Sequence, residues 1–507
     1  MGQKYAIKWL FLNNCLYLCQ QIIDINMEQK LIARDRECSM LRDCMESDRS
    51  EFVIVYGRRR VGKTFLIDQY FKMNYDFSFV GSHRSTQRVQ LRNFGKAMKQ
   101  YAGSRTVPKY TDWFDAFDAL EEHLSNLPAN RKKVVFFDEM PWIDTQKSDF
   151  VEALENFWNG WANRRNDIVF VGSGSATSWM VDKLIENQGG LHARITANIY
   201  LRPFNLKETE EYLRSHHSKW DRYQIAQCYM LFGGIPFYLS LLKTNQSLVQ
   251  NVDRLCFAPY APLRIEFEEL YTALFKHADQ YISVVKALSQ HKEGMTRNDM
   301  IKVLKVEGRN LTAVLRNLER CDFIAKMARF PNKSTDAIYR LVDFYTLFYY
   351  KFLSEDLSGD EQWWSHNFQS HSVEAWMGRA FELLCLCHVG QIKRALGISG
   401  MATSVSSWRQ LADKANQDPA KREGAQIDLI IDRADRMVHL CEMKFSVGPY
   451  ELKDAYEKKL RQRMTIFREA TKCTKALVNT FVTTFGVADG MHKSIVNSEV
   501  TLDELFR

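Results

Sequence analysis

The stretch Val53-Ile-Val-Tyr-Gly-Arg-Arg-Arg-Val-Gly-Lys-Thr64 decides the fold of the chain around it. An apolar run leads into the pattern G-x-x-x-x-G-K-T, and apolar residues at helical spacing follow the pattern. This order of strand, glycine-bounded loop and helix is that of a P-loop. The N–H groups of such a loop and the helix N-terminus offer positive partial charge to phosphate oxygens. The stretch therefore predicts a site for a nucleoside triphosphate.

Four residues of this loop have separate expected roles. Gly57 and Gly62 allow backbone angles that a side chain disfavours. Lys63 is expected to neutralise the β- and γ-phosphates, and the Thr64 hydroxyl to ligate Mg²⁺. The expected cofactors are therefore ATP and Mg²⁺.

The composition is that of a globular protein with several domains. A chain of 507 residues is too long for a single hydrophobic core, so about two to four domains are expected. With 46% hydrophobic and 26% charged residues the chain has an ordinary globular composition, and the net charge of +8 permits a nucleic-acid partner without requiring one. The eleven cysteines include no C-x-x-C pair. This favours a reducing, cytoplasmic location.

The first 26 residues form a separate segment. Apolar residues from Ala6 to Ile25 are interrupted by asparagine and glutamine, which is unfavourable for a membrane span. The sequence from Met27 onward looks more like a natural start, so residues 1–26 are predicted to be an extension from a mis-assigned start. A weakly membrane-associated segment is the alternative, and no stable membrane association is expected.

A second apolar strand ends in the acidic pair Asp138-Glu139. The four apolar residues before the pair predict a strand buried on both faces, as in a parallel sheet, and such sheets bind ligands at their carboxyl ends. Asp138 is expected to hold Mg²⁺ together with Thr64. Glu139 is expected to orient and deprotonate the attacking water. An ordinary surface turn is the alternative.

Two other segments are candidates for contact with the nucleotide base. Leu31 to Glu37 lies before the P-loop, where many P-loop ATPases place a segment over the adenine, and Arg34 is its polar candidate along with Glu37. Charged residues before a strand are also often simply solvated. Gly-Gly-Ile-Pro236 could bring a rigid proline against the base, or it could form a tight turn between helices.

Together these motifs resemble a family of prokaryotic AAA+ and STAND-like P-loop ATPases. The resemblance is carried by GRRRVGKT, VVFFDE, GSGS, LRPF and GGIPFYL, and it covers nearly all of the chain after Met27. Many members of this family have a C-terminal domain of unknown function that looks like a PD-(D/E)xK nuclease. The resemblance implies an α/β fold: an AAA+ P-loop parallel sheet with a helical lid, a winged-helix middle domain and a C-terminal α/β restriction-endonuclease-like domain.

The AAA+ resemblance also implies two further roles at the ATPase site. An additional strand is expected between the P-loop strand and the acidic strand, and Ser173 at its tip, or else Ser175, would sense the γ-phosphate. Arg194 lies before the expected fifth strand, where AAA+ proteins carry an arginine finger that stabilises transition-state charge. Arg164 and Arg165 are the alternatives to Arg194.

The middle of the chain has the pattern of a winged helix. Three helical stretches and two strands follow one another between residues 281 and 341. The third helix is the one that reads the major groove in DNA-binding versions. The alternative is a packing module, because Glu319 and Asp322 dilute the positive charge. The candidates for base contact are Arg309, Asn310, Thr312, Arg316 and Asn317.

Near the C-terminus, Asp428, Glu442 and Lys444 are predicted to lie together on a β-hairpin. Glu442 and Lys444 are two apart on one strand and share a face. Two carboxylates can hold a divalent metal while a lysine positions or activates water, and Glu382 would approach from a helix as a further ligand. The resemblance to PD-(D/E)xK nucleases carries over onto these four residues. The chain departs from the family at Gln426, where relatives often have an acidic residue.

A basic helical stretch follows the hairpin. Between residues 453 and 475 the sequence has eight lysine or arginine residues against three acids. Such a helix could contact phosphates, and basic surface helices are also common without that role.

The sequence therefore predicts an ATP-hydrolysing AAA+ ATPase that acts as a switch for a Mg²⁺-dependent DNA nuclease-like domain. The alternative is a STAND-like regulatory ATPase whose nuclease fold is an inactive partner-binding module. The predicted partners are ATP, DNA and further copies of the chain in a homo-oligomer. The predicted division is 1–26 extension, 27–205 ATPase core, 206–275 helical lid, 276–353 winged helix, 354–371 linker and 372–507 PD-(D/E)xK-like domain.

Overall fold

The structure is a computed structural model of the chain. It describes residues 31–175, 177–186, 189–191, 193–275, 277–331, 337–356, 358–412 and 424–507. The interpretation of residues 1–26 as an extension falls outside the described residues.

A parallel five-stranded sheet forms the centre of the N-terminal half. Its strands lie in the order β2-β3-β4-β1-β5, so β4 separates the P-loop strand β1 from the acidic strand β3, as predicted. β1, β3 and β4 are buried on both faces because their apolar residues face helices on either side. The strands are β1 (Glu51–Tyr56), β2 (Phe77–Val80), β3 (Lys133–Asp138), β4 (Ile168–Gly174) and β5 (Ala197–Tyr200).

Helices cover both faces of this sheet. One face packs against α3, α4 and α6 through aromatic residues such as Phe94, Trp113 and Phe157, and the other packs against α1 and α2. π-helical turns at Phe157–Trp161 and Met180–Ile185 continue α6 and α7, and a 3-10 turn spans Ala162–Arg164. These helices are α1 (Asp35–Glu46), α2 (Lys63–Phe71), α3 (Gln87–Tyr101), α4 (Trp113–Ser125), α5 (Met140–Ile143), α6 (Phe150–Asn156) and α7 (Thr177–Trp179).

A helical segment follows the sheet. Its first two long helices begin with capping boxes, in which Asn205 and Asp221 accept hydrogen bonds from the N–H groups of the third residue inside each helix. A π-helical turn at Asp253–Phe257 continues the fourth helix. The helices are α8 (Leu206–Ser215), α9 (Arg222–Phe232), α10 (Pro236–Ser240), α11 (Leu248–Val252) and α12 (Pro262–Leu274).

The middle of the chain has the predicted order of three helices and two strands. A short strand that was not predicted, β6, pairs with β8 beside the expected pair of β7 and β8. A helix then runs on through a π-helical turn at Tyr349–Leu353. The elements are α13 (Ala278–Gln290), β6 (Met295–Thr296), α14 (Arg297–Leu304), α15 (Gly308–Arg320), β7 (Ile324–Arg329), β8 (Ile338–Leu341) and α16 (Phe344–Phe348).

The C-terminal segment contains five strands and several helices. A 3-10 turn at Met491–Ile495 precedes its last strand. The elements are α17 (Trp363–Asn367), α18 (His371–Cys387), α19 (Val389–Ala395), β9 (Thr403–Gln410), β10 (Ala425–Arg433), β11 (Met437–Lys444), α20 (Asp454–Thr471), β12 (Ala476–Thr483), β13 (Ser498–Thr501) and α21 (Leu502–Leu505).

The middle and C-terminal segments share one eight-stranded sheet. Its order is β13-β12-β11-β10-β9-β7-β8-β6, and the junction is a short parallel pairing of β7 with β9 at Ala328↔Ser406 and Arg329↔Ser407. The sequence patterns predict two separate modules here. They miss the junction because strand pairing between distant segments leaves no local pattern.

None of the helices within the described ranges is both long enough and apolar enough to cross a membrane.

Candidate functional site

The P-loop lies at the carboxyl end of β1 and has the backbone that its two glycines predict. Gly57 has φ +149°, and a Cβ there would lie 2.3 Å from the carbonyl oxygen of Leu201. Gly62 has φ +88° at the N-cap of α2. The Lys63 Nζ donates hydrogen bonds to the carbonyl oxygens of Gly57, at 3.2 Å, and Arg58, at 3.0 Å. Burial lowers the pKa of Lys63, and the neighbouring Glu139 and Asp138 oppose that shift.

Thr64, Asp138 and Ser173 form one hydrogen-bonded group. The Thr64 hydroxyl donates to Asp138 Oδ2 at 2.8 Å. The other carboxylate oxygen of Asp138 accepts from the Ser173 hydroxyl and from the backbone N–H of Glu139 at 3.0 Å. The structure therefore places the predicted sensor Ser173 at the site, where its hydroxyl holds the acid.

Glu139 has a different partner. The Ser175 hydroxyl lies 2.8 Å from each carboxylate oxygen of Glu139, and the backbone N–H of Ser175 donates to Oε2 at 3.2 Å. Glu139 itself adopts φ +50°, which ends the strand and turns its side chain towards β4. Ser175, the second choice for the polar tip, is thus the residue that contacts the predicted base.

An apolar cavity of about 660 Å³ adjoins the P-loop. Pro236 and Phe237 line it, as do Leu31 and Ile32, so both segments proposed for base contact meet here. The remaining lining residues come from the segment before α1, the P-loop, α2, and the region from the end of β5 to the residues after α10: Arg34, Arg60, Val61, Gly62, Phe65, Leu66, Phe204, Tyr212, Ser215, His216, His217, Ser240, Leu242 and Thr244.

Arg34 has protein partners in the wall of this cavity. It is 6% exposed, donates to the carbonyl oxygen of Arg202 at 2.9 Å and stacks on Phe204 at 4.5 Å. Its guanidinium lies 3.9 Å from Glu37. Arg34 therefore links the segment before α1 to the residues that follow β5. The sequence pattern does not indicate this contact.

The predicted arginine finger does not lie at the P-loop of its own chain. Arg194 precedes β5, which runs parallel to β1 with Val53 opposite Ala197. Residues before a parallel strand lie at the sheet's amino edge, whereas the P-loop lies at the carboxyl edge, about 20 Å away at strand spacing. The alternatives Arg164 and Arg165 precede β4 at the same amino edge, and Arg165 pairs with Asp167 at 2.8 Å. An arginine at this edge of the sheet is far from the P-loop of its own chain, so the prediction of an arginine finger stays open only for action on a neighbouring copy.

Two other arginines connect the P-loop to distant parts of the chain. Arg58 makes a bidentate pair with Asp343 at 3.1 and 3.3 Å, with side chains only 2% and 1% exposed, and stacks on Phe323. Arg60 makes a bidentate pair with Glu266 of α12 at 3.0 and 2.9 Å. The only sequence signal for these contacts is the run of arginines inside the P-loop, and the sequence does not reveal their partners.

The third middle helix, α15, also contacts α7 and the π-helical turn that continues it in the ATPase core. Asn317 accepts from the Ser178 hydroxyl at 2.7 Å and donates to the Tyr281 hydroxyl at 2.8 Å. Arg320 pairs with Asp182 at 2.7 Å and with Glu186 at 3.0 Å. Four of the residues predicted to contact bases are exposed: Arg309, Asn310, Thr312 and Arg316. The fifth, Asn317, makes the two hydrogen bonds given above.

In the C-terminal segment, the hairpin of β10 and β11 forms in the predicted register. Leu429 lies opposite Cys441, so Asp428 lies at the level of Glu442. Glu382 on α18 is near enough for Asp428 to raise its pKa further, beyond the rise caused by burial. The fold therefore brings the predicted residues into one neighbourhood.

Each of these carboxylates is paired with a cation. Lys292 lies 2.9 Å from Glu382, and Arg340 lies 3.2 Å from Asp428. Glu442 pairs with Lys444 at 2.7 Å and with Arg463 at 2.6 Å. Burial raises the pKa of Glu442, but Arg463 and Lys444 outweigh burial and hold that pKa at about 2.

The predicted metal set of Glu382, Asp428 and Glu442 is not gathered around one point. Within the described ranges, no group of three or more histidine, cysteine or acidic residues is arranged to hold a metal ion. Glu442 and Tyr456 raise the pKa of Lys444 against the effect of burial. In this structure ion pairs occupy the three carboxylates that were predicted to bind a metal.

Comparison with known proteins identifies the N-terminal half. Residues 31–242 match the model of an ATPase domain found predominantly in Archaea. The matched range contains the P-loop, the acidic pair and Pro236. These residues therefore form an ATPase domain, which hydrolyses nucleoside triphosphate.

Individual relatives are more distant. An uncharacterized protein of Methanocaldococcus jannaschii, MJECL04, is 23% identical over 345 residues, which are 65% of this chain and 70% of that protein. A Walker-type ATPase of Pyrococcus abyssi is 16% identical, with a TM-score of 0.49, 64% of this chain and 96% of that chain being covered. The ORC2 protein of Aeropyrum pernix is 14% identical with a TM-score of 0.41 at the same coverages.

Proposed function

We propose that this protein is a regulatory ATPase of the AAA+ or STAND-like type, in which nucleotide at the P-loop controls the middle and C-terminal segments. The observation that carries the proposal is the buried pair of Arg58 and Asp343, which joins the phosphate-binding loop to the start of α16. A loop that changes shape around phosphate must change this pair. Breaking a buried ion pair costs about 3–5 kcal/mol, so the two segments are energetically coupled.

A second connection starts at Glu139. Its partner Ser175 is followed within three residues by Ser178, whose hydroxyl donates to Asn317 of α15. A change at Glu139 between the ATP and ADP states therefore reaches α15 through one short segment. Two independent connections from one site support a switch.

The chemistry at the site is hydrolysis of ATP. Lys63 compensates phosphate charge, and Glu139 takes the proton of the attacking water. Mg²⁺ supplies charge compensation when it is bound, and Thr64 and Asp138 would hold it. Their oxygens lie 2.8 Å apart. Two neighbouring ligands of an octahedral ion with bonds of 2.0–2.1 Å lie about 3 Å apart, so this pair fits Mg²⁺.

In this proposal the C-terminal segment is an inactive nuclease-like fold that binds a partner. The ion pairs of Glu382, Asp428 and Glu442 support this choice over a Mg²⁺-dependent DNA nuclease. Residues 276–353 are proposed as a winged helix whose third helix transmits the nucleotide state. The contacts of Asn317 and Arg320 with the ATPase core favour that role over base readout.

DNA and self-association are the remaining proposed partners. The exposed surface of α15 is polar and could contact a DNA backbone through Arg309, Asn310 and Arg316. On α20, by contrast, Lys458 and Arg461 pair with acids one turn away, which reduces the charge available for phosphates. At the amino edge of the sheet, Arg194 can act as an arginine finger only on a second copy, so that role requires a homo-oligomer.

Hydrogen exchange with and without nucleotide tests the switch. A non-hydrolysable ATP analogue is expected to change protection of α15 and α16 in the full chain and to change nothing in Lys63→Ala. In Asp343→Asn, and separately in Asn317→Ala, the analogue still binds, but the change at the distant helix shrinks. Asp503→Asn removes an exposed ion pair with Arg222 and serves as the matched control. Equal protection with and without the analogue in the wild-type chain contradicts the proposal.

A cleavage assay tests the C-terminal assignment. Wild-type protein with Mg²⁺ or Mn²⁺, with and without ATP, is expected to leave plasmid DNA, single-stranded DNA and RNA intact. Metal-dependent cleavage that disappears in Lys444→Ala would overturn the partner-binding assignment and establish the nuclease.

A further inference from the structure

We propose that Arg59 contacts the γ-phosphate of ATP bound in the same chain and is a catalytic residue of hydrolysis. It is the middle one of three consecutive arginines in the P-loop, four residues before Lys63. The predicted finger residues lie at the far edge of the sheet, and the other arginines of the P-loop, Arg58 and Arg60, are paired with carboxylates.

The three arginines differ in their partners. Arg58 and Arg60 are each neutralised by a bidentate carboxylate, Asp343 and Glu266 respectively. Arg59 lies between them, half-buried, and has no hydrogen bond or ion pair with any residue in the described part of the chain. The ion pairs of Arg58 and Arg60 fix the loop on both sides of Arg59. The N–H groups of the Arg59 guanidinium therefore remain available to a ligand.

Acidic residues act on the charge of Arg59 from two parts of the chain. Burial lowers the pKa of Arg59 and Arg60 lowers it further, while Glu266 and Glu269 of α12 and the predicted base Glu139 oppose that shift. Arg59 also contributes to lowering the pKa of His83. The ring of His83 packs against Trp142, which follows the acidic pair Asp138-Glu139. The charge of Arg59 therefore acts on Glu139, the predicted base, as well as on α12.

The balance of charges around the P-loop indicates what Arg59 does in hydrolysis. With Arg58 and Arg60 neutralised, Lys63 and Arg59 are the loop cations left to face the triphosphate and the acids Asp138 and Glu139. In hydrolysis, the water oxygen bonds to the γ-phosphorus and the water proton passes to Glu139. The bond to the β-phosphate oxygen breaks, its electron pair leaves with ADP, and inorganic phosphate forms. Arg59 donates N–H groups to the γ-phosphate oxygens as this charge develops.

Steady-state kinetics of the full chain tests the proposal. Arg59→Ala is expected to lower kcat by about 100-fold or more, while KM changes less than about fivefold, because the contact strengthens in the transition state. Arg59→Lys is expected to recover part of the loss. Arg92→Ala removes an exposed arginine of α3 and serves as a control that keeps wild-type kcat. A kcat of Arg59→Ala within threefold of the wild type overturns the proposal.

Two further measurements separate catalysis from loop folding and from action between chains. Arg59→Ala is expected to bind ADP like the wild type and to lose the tight complex with ADP and aluminium fluoride. A parallel loss of ADP binding overturns the catalytic role. Mixing Arg59→Ala with Lys63→Ala, which supplies Arg59 on another chain, is expected to restore no activity. Recovery in the mixture overturns action within one chain.

Discussion

At the scale of single residues, two adjacent acids differ in function because their partners differ. Asp138 is held by Thr64 and Ser173, which gives it the geometry of a metal ligand. Glu139 is one residue further along and is held by Ser175 alone among the side chains around it in the described part of the chain. All hydrogen bonds to the Glu139 carboxylate come from one residue, whereas those to Asp138 come from three, so fewer contacts have to move when Glu139 turns towards water.

Replacing Glu139 with glutamine tests the assignment of the base. Glu139→Gln keeps the shape and the contact with Ser175 but cannot take up a proton from water. We expect hydrolysis to fall by at least about 100-fold while ATP still binds. Single-turnover phosphate release and equilibrium binding of labelled ATP measure the two effects, and Lys63→Ala, which loses binding, is the comparison. Hydrolysis within tenfold of the wild type contradicts the assignment.

Removing the Ser175 hydroxyl tests whether it positions the base. We expect Ser175→Ala to lower kcat by about tenfold with little effect on ATP affinity, since Glu139 loses its orienting bond and Asp138 keeps its own. Its kcat should also depend on pH differently from the wild type, because the environment of the base changes. Ser47→Ala, on the opposite edge of the sheet, is the matched control. A changed KM with an unchanged kcat would rule out this positioning role.

At the scale of elements, the Gly233-Gly234 turn forms the tight turn between helices that was one of the two interpretations made for it. The two glycines have φ +70° and +63° and end α9, so the segment is a tight turn between helices. Pro236 then begins α10 and lines the cavity beside the P-loop. The turn is fixed because the Phe204 N–H donates to the Gly234 carbonyl oxygen at 2.8 Å. The same turn therefore positions the wall of the cavity beside the P-loop.

An alanine at Gly234 should disturb this wall. A Cβ at Gly234 would lie 2.1 Å from the Phe204 carbonyl oxygen, so the turn must move in addition to the strain of positive φ. We expect Gly234→Ala to lower the melting temperature and to weaken ATP binding at least tenfold. Gly103→Ala has φ +67° with no atom within 4 Å, and so isolates the cost of φ alone, about 1–2 kcal/mol. If the two variants weaken ATP binding equally, the turn at Gly234 does not influence ATP binding through the wall of the cavity beside the P-loop.

At the scale of the whole molecule, the three parts of the chain are joined by buried polar contacts. One of them is His388 at the end of α18, which is 1% exposed. Its Nδ1 donates to the Leu384 carbonyl oxygen at 2.8 Å, and its Nε2 accepts the N–H of Leu206, at the start of α8, at 3.1 Å. The bond accepted at Nε2 requires a neutral imidazole, and burial lowers the pKa of His388 to about 4.

This contact predicts loss of stability in mild acid. The unfolded chain binds a proton at His388 below about pH 6.5, and the folded chain does so only near pH 4. The contribution is therefore complete above pH 6.5 and is lost as pH falls towards 4, by up to about 3 kcal/mol. Urea unfolding at pH 7 and pH 5 should show this loss in the wild type and a smaller one in His388→Gln, which keeps an acceptor. Equal losses in both chains exclude His388 as the cause.

The local part of the fold and site follows from the sequence alone. The P-loop, the acidic pair and the hairpin of β10 and β11 are visible as short patterns, because each depends on neighbouring residues or on alternation along one strand. The position of β4 between β1 and β3 came from the resemblance to AAA+ proteins. The position of Pro236 beside the P-loop was also within reach, since a Gly-Gly-x-Pro turn has a restricted geometry.

The contacts between distant segments were decided only by the tertiary structure. Arg58 and Asp343 are 285 positions apart, and β7 joins β9 across a gap of about 80 residues, so no local pattern records either pairing. No local pattern shows that Lys292 and Arg340 pair with Glu382 and Asp428. Nor does one show that Arg194 lies at the edge of the sheet opposite the P-loop. A sequence pattern shows which charges exist along the chain. Which charge meets which depends on the packing of segments that the chain brings together from far apart.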